Sequence, residues 1–207
     1  MGTRNLTIVH SNGEYKVAQY GQWDGYPEGL GCQLLKYLKG INISELRNAV
    51  NDCTYLTKEE FDEILKKINE AQKDNPKFSW QKFYPELSRD TGGDILDLIM
   101  FKNKTKLQNS LNFAADSLFC EWVYVIDLDK NTFEIYEGFN HEPLTQDDRF
   151  YFLMNEANKI NNERKKYSSN SHKTESYYPV KFVAEYDLDA LPNETDFINA
   201  FNSEEEE

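Results

Sequence analysis

Cysteine and histidine are scarce in this chain, with three of each among 207 residues. Cys32, Cys53 and Cys120 are odd in number and widely spaced, which argues against a disulfide framework and a C-x-x-C metal site and leaves reduced thiols as the reading. His10, His141 and His172 stand alone, with no H-x-x-x-H or H-E-x-x-H spacing, so neither a metal nor a cofactor is expected. Long apolar runs are missing too. No stretch approaches the roughly 18 to 20 residues needed to cross a bilayer, and the first residues lack the basic and apolar regions of a signal peptide, so a cytoplasmic protein without membrane attachment is expected. Basic residues are outnumbered: 23 Lys and Arg against 36 Asp and Glu give a net charge of −13. That balance opposes direct nucleic-acid binding, which needs clustered cations to displace counterions. A protein partner met through an acidic surface, or a homo-oligomer, stays open.

Aromatic residues are plentiful: 13 Tyr, 13 Phe and 3 Trp supply large buried areas for a core. Segments 4–10 and 14–20 read as strands around Ser11-Asn12-Gly13, and an Asn-Gly pair between such runs signals a tight hairpin. Leu30, Leu34, Leu35 and Leu38 recur at helical spacing before Gly40, predicting a helix over 29–39. Ser44 opens a short helix to Asn51, and Thr57-Lys-Glu-Glu60 is a capping box before another. Helical pieces are also expected at 80–88, broken by Pro85, and at 93–101. Segments 121–127 and 132–136 form a second hairpin, and Thr145 to Asp148 reads as the cap of a helix through Ala157. The polar stretch 161–176 reads as a mobile loop, 180–186 as a late strand and 194–201 as a short helix. Two hairpins and a late strand predict one α+β domain over 1–203, an antiparallel sheet with helices packed on it, followed by a solvated acidic tail at 204–207.

Chemistry concentrates in the loop Gln19 to Gly31, which holds four of the ten glycines. Trp23 and Tyr26 offer flat faces, while Gln22, Asp24 and Glu28 offer hydrogen bonds; these are the parts of a small-ligand pocket or of a compact turn plugging the core. No phosphate-loop pattern accompanies them. In Ser88 to Asp94, Arg89 could hold a carboxylate or phosphate, whereas Asp90 reads equally as a helix cap. Cys120 could be a nucleophile but reads as a small buried hydrophobe.

Met1-Gly-Thr-Arg-Asn-Leu-Thr7, Tyr15 to Pro27, Ser88-Arg-Asp90 and Glu121 to Asp129 resemble a family of uncharacterised microbial and viral proteins that begin this way. At Leu30 the chain departs from the polar Gln that the resemblance implies. Met1-Gly2-Thr3 ahead of a hairpin also resembles the layout of N-terminal-nucleophile (Ntn) hydrolases, in which a freed Thr amine activates its own hydroxyl; here Thr3 follows two residues and its amine is in a peptide bond. The expected function is a small polar ligand-binding domain, with Gln22, Trp23, Tyr26 and Arg89 binding and Asp24 or Asp90 as general base should an amide or cyclic amidine be hydrolysed. The alternative is a non-enzymatic protein, such as a viral inhibitor that acts through its acidic surface or sequesters a signalling nucleotide.

Overall fold

Asn12 and Gly13 take φ of 55° and 73°, the two left-handed positions that a tight hairpin turn requires, and they join β1 (Asn5–Ser11) to β2 (Glu14–Gly21). The computed structural model describes residues 2–167 and 175–202. A wide helical turn at Pro27–Gly31 leads into α1 (Cys32–Gly40), so this helix starts later than its leucine spacing predicts. Asn42, rather than Ser44, caps α2 (Ile43–Asn51), its side chain accepting from the Ser44 and Glu45 amides. After β3 (Thr54–Tyr55), the Thr57/Glu60 capping box is present in full at the start of α3 (Lys58–Asp74). Pro85 divides 80–88 into two short 3₁₀ turns, and a third turn at Gly92–Asp94 precedes α4 (Ile95–Lys102).

Past β4 (Lys106–Leu107), the second hairpin joins β5 (Trp122–Asp127) and β6 (Thr132–Glu137). Thr145 and Asp148 do hydrogen-bond, but only as a turn, and α5 begins later, at Met154–Tyr167. Residues 161–167 are therefore helical rather than loop, while 168–174 of that polar stretch, including His172, lie outside the described residues, as does the acidic tail. β7 (Lys181–Asp187) and α6 (Glu194–Asn202) complete the described chain.

The sheet runs β2-β1-β5-β6-β7 and is mixed, which corrects the antiparallel expectation. Each hairpin is antiparallel inside itself, yet β1 pairs parallel with β5, Leu6 opposite Val123 and Ile8 opposite Val125. Two hairpins meet edge to edge, and segment 22–121 supplies the long crossover that such a neighbour needs. α1, α2, α4 and α6 cover one face over Val9, Val17, Tyr124, Ile126, Phe133 and Ile135. Segment 111–120, Phe150 and α5 cover the other over Leu6, Ile8, Val123, Val125 and Tyr136. Among the described residues no helix is long and apolar enough to cross a membrane.

Candidate functional site

Where β2 ends, the backbone is tied to three neighbours. The Gly25 amide donates to the Thr3 carbonyl (3.1 Å), the Leu30 amide to the Asp24 carbonyl (2.8 Å), and the buried Tyr124 hydroxyl to the Gly25 carbonyl (2.8 Å). Asp24 takes a left-handed φ of 49°, a conformation that aspartate tolerates better than most side chains. Gly25 is required by close approach: a Cβ there would lie 2.7 Å from the Thr3 carbonyl oxygen.

The glycine-rich loop and the Ser88–Asp90 corner meet. The Gln22 amide donates to the Arg89 carbonyl (2.9 Å), Gln19 Nε2 to the Ser88 carbonyl (3.2 Å), and the Trp23 indole N–H to Asp90 Oδ1 (2.9 Å). Asp90 is thus a partner of Trp23, and the turn before α4 has no side-chain cap. Gln22 accepts from the Tyr20 hydroxyl (2.8 Å).

The corner separates two clefts. On one side, Trp23, Asp24, Asp90 and Asp94 surround a hollow of about 320 Å³ with Asn5 in its lining. On the other, Arg89 lines a cleft of about 480 Å³ with Gln19, Tyr20, Gln108, Asn112 and Phe113. Arg89 and the two candidate bases therefore face different hollows. Tyr26 is exposed and lines neither, its carbonyl accepting instead from the Gly29 and Gly31 amides. Cys120 is buried beneath this end of the sheet; burial foremost, with Asp116 and Glu121 adding to it, pushes its thiol well above the ordinary value and keeps it protonated.

A third group escaped sequence reasoning. Arg149 grips Glu134 through two hydrogen bonds (2.7 and 2.6 Å) and also donates to Asp127, while the Tyr136 hydroxyl donates to Glu134 (2.5 Å). These groups line a cleft of about 690 Å³ with His10 and Tyr15. A signal was present: Leu6, Ile8 and His10 share one strand face, as do Val123, Val125 and Asp127, so polar side chains occupy inward positions at the ends of apolar stripes. Burial of Asp127 opposes its ionisation, but the Lys130 amide and the Arg149 guanidinium outweigh it and hold the carboxyl below its ordinary 3.8. The Gly13 amide foremost, with Asn12 and against partial burial, lowers Asp129 in the same way.

His10, Asp127 and Asp129 offer ligand atoms within 4.8 Å of one another, the spacing of a metal site. All four carboxylate oxygens already accept hydrogen bonds, from Asn12, Gly13, Asp129, Lys130 and Arg149. The group reads as an interlock between the two hairpin turns. Because both aspartates are depressed in the folded state, their stabilisation is complete above the ordinary 3.8 and is lost as pH falls through the lowered values. Urea midpoints measured between pH about 6 and about 3 should fall for the native chain, and less steeply for Asp129→Asn. Parallel curves would show that Asp129 does not contribute.

Searches against family models, curated proteins and solved structures found no match to this chain.

Proposed function

We propose that this protein is a small-molecule-binding domain that holds a small polar ligand bearing a carboxylate or phosphate in the Arg89 cleft. One observation carries the reading: Arg89 is the one basic residue in the lining of a hollow otherwise bounded by amides, hydroxyls and apolar groups, among them Gln19, Gln108, Asn112 and the Tyr20–Phe113 aromatic pair. A guanidinium selects a planar or tetrahedral anion, amides read its remaining polar atoms, and the paired rings, 5.1 Å apart, bound it on one side. Residues Gln22, Trp23 and Asp90 hold the corner that presents Arg89, and so act on this ligand through backbone position.

A ligand held by Arg89 lies apart from Asp24 and Asp90, so the activity proposed is binding without hydrolysis. An acid-base mechanism would need Asp24 or Asp90 in the same hollow as Arg89, and the Thr3 carbonyl already anchors the loop through Asn5 and Gly25. The layout is a mixed five-stranded sheet between helices, with β3 and β4 paired apart from it, and an N-terminal-nucleophile mechanism is not needed to explain any of its contacts. On this reading the protein works in the cytoplasm, where its three buried thiols stay reduced.

Mass spectrometry of the purified full chain under native and denaturing conditions tests the reading. A retained anionic small molecule released on denaturation is expected, and Arg89→Ala should retain at least about tenfold less. Equal retention by Arg89→Ala, with unchanged thermal stability, would dismiss the cleft.

A further inference from the structure

The Arg89 cleft holds a second polar feature besides its guanidinium. Gln19 lines it and is only 5% exposed. Its Nε2 donates to the carbonyls of Tyr20 (3.1 Å) and Ser88 (3.2 Å), and those two acceptors fix the orientation of the amide. Oε1 is left as an acceptor with no donor among the described residues, and it is not one of the polar atoms sealed from water. An acceptor so placed in the wall of an open cleft calls for a donor from whatever enters.

The rest of the lining decides what kind of donor that is. Segment 108–113 forms a second wall, held beside β2 by the Ser110 amide, which donates to the Ala18 carbonyl (3.0 Å). It brings the exposed amides of Gln108 and Asn112, which can each donate and accept, and Phe113, which meets Tyr20 edge to face. Among the described residues no aspartate, glutamate, lysine or histidine lines the cleft. A cationic N–H would therefore find Arg89 and no counter-charge, which disfavours an ammonium and with it a free amino acid. A neutral N–H meets no such penalty. Joined to its own carbonyl in a lactam, it offers Gln19 a donor and the amides of Gln108 and Asn112 an acceptor, on a ring flat enough to lie against the aromatic pair.

We propose that the Arg89 cleft takes an anion that carries a lactam N–H on a flat heterocycle, with Arg89 holding the carboxylate or phosphate and Gln19 Oε1 accepting from the ring N–H. This rests on the anion-binding reading of the same cleft and adds what the remainder of the ligand must be. Because the Gln19 oxygen cannot donate, a ring that presents an acceptor or an N-methyl group there leaves it unpaired and is rejected.

The test is a titration of the full chain with orotate, a pyrimidine carboxylate with lactam N–H groups, followed by NMR at the Gln19 side-chain amide. Saturable shifts are expected, with binding about tenfold weaker for 1,3-dimethylorotate, which keeps the ring and the charge but neither donor. Benzoate, flat and charged with no N–H and no added methyl groups, should be as weak, which separates loss of the donor from bulk. Uridine 5′-monophosphate carries the same lactam on a phosphate arm: tighter binding of orotate assigns the anion as a carboxylate, and tighter binding of the nucleotide assigns it as a phosphate. Gln19→Met, which removes the acceptor, should abolish the preference for orotate over its dimethyl form, and the comparison of ligands on the native chain stands whether or not that variant folds. Equal affinity for orotate, its dimethyl form and benzoate, lost in Arg89→Ala, would overturn the lactam and leave the anion reading in place. No saturable shift with orotate or the nucleotide would overturn it too, and retention by Arg89→Ala in the mass measurement then decides the anion reading by itself.

Discussion

Replacing Arg149 with methionine is expected to cost about 3–5 kcal/mol of folding stability, the largest loss foreseen for any single substitution outside the apolar core. The reason is what the change leaves behind. Asp127 and Glu134 are 1% and 2% exposed, and their shared cation is itself only 10% exposed. Without it, two carboxylates face each other across the sheet with little water to screen them. A typical domain has about 5–15 kcal/mol in all, so the variant should show a much lower urea midpoint at neutral pH.

The pH dependence gives a sharper check. In the native chain, acid removes stabilisation from Asp127, whereas in Arg149→Met mild acid should restore stability by protonating carboxylates that have lost their partner. Arg149→Met combined with Asp127→Asn and Glu134→Gln should recover most of the loss, because amides can keep the hydrogen bonds while no charge is left to bury. A loss below about 1 kcal/mol for the single variant would mean that water reaches the cluster freely.

Phe197→Ala is the second large effect, also expected at about 3–5 kcal/mol. The Phe197 ring is fully buried on α6 and stacks on Phe133 (6.2 Å between ring centres), with Tyr186 and Phe201 at its sides. Its far edge presses on Gly31, where a Cβ would stand 2.9 Å from the ring. Truncation therefore leaves a void between the sheet and the wide turn Pro27–Gly31, whose Leu30 amide is tied back to Asp24. Beyond the lower unfolding midpoint, the Leu30 amide, held by the Asp24 carbonyl, should exchange with solvent faster than amides in β1. Phe197→Leu should lose less than half as much. Unchanged Leu30 protection would show that the turn is held by its own hydrogen bonds alone.

What was legible in the sequence was local. The Asn12-Gly13 turn, the Thr57 capping box and both hairpins depend on residues within a few positions of one another, and each is present. The parallel contact of β1 with β5 was hidden because no local pattern states which hairpin edges meet. The same limit applies to the sites. That Trp23 and Asp90 lie together follows from the fold, and which way Arg89 turns at its corner depends on backbone geometry that residue type does not encode. Arg149 reaches partners 15 and 22 residues away, on two different strands.

The central strand pair also sets a timetable for folding. β1 can close its own hairpin within microseconds of synthesis, yet its other edge waits for residues 122–127 to leave the ribosome. During that interval Leu6 and Ile8 have no strand on one side, and an unpaired apolar edge is a template for wrong partners. Closing so long a loop favours slow folding by comparison with helical proteins of this size, and it makes the nascent N-terminal half the stage at which chaperone binding would matter most.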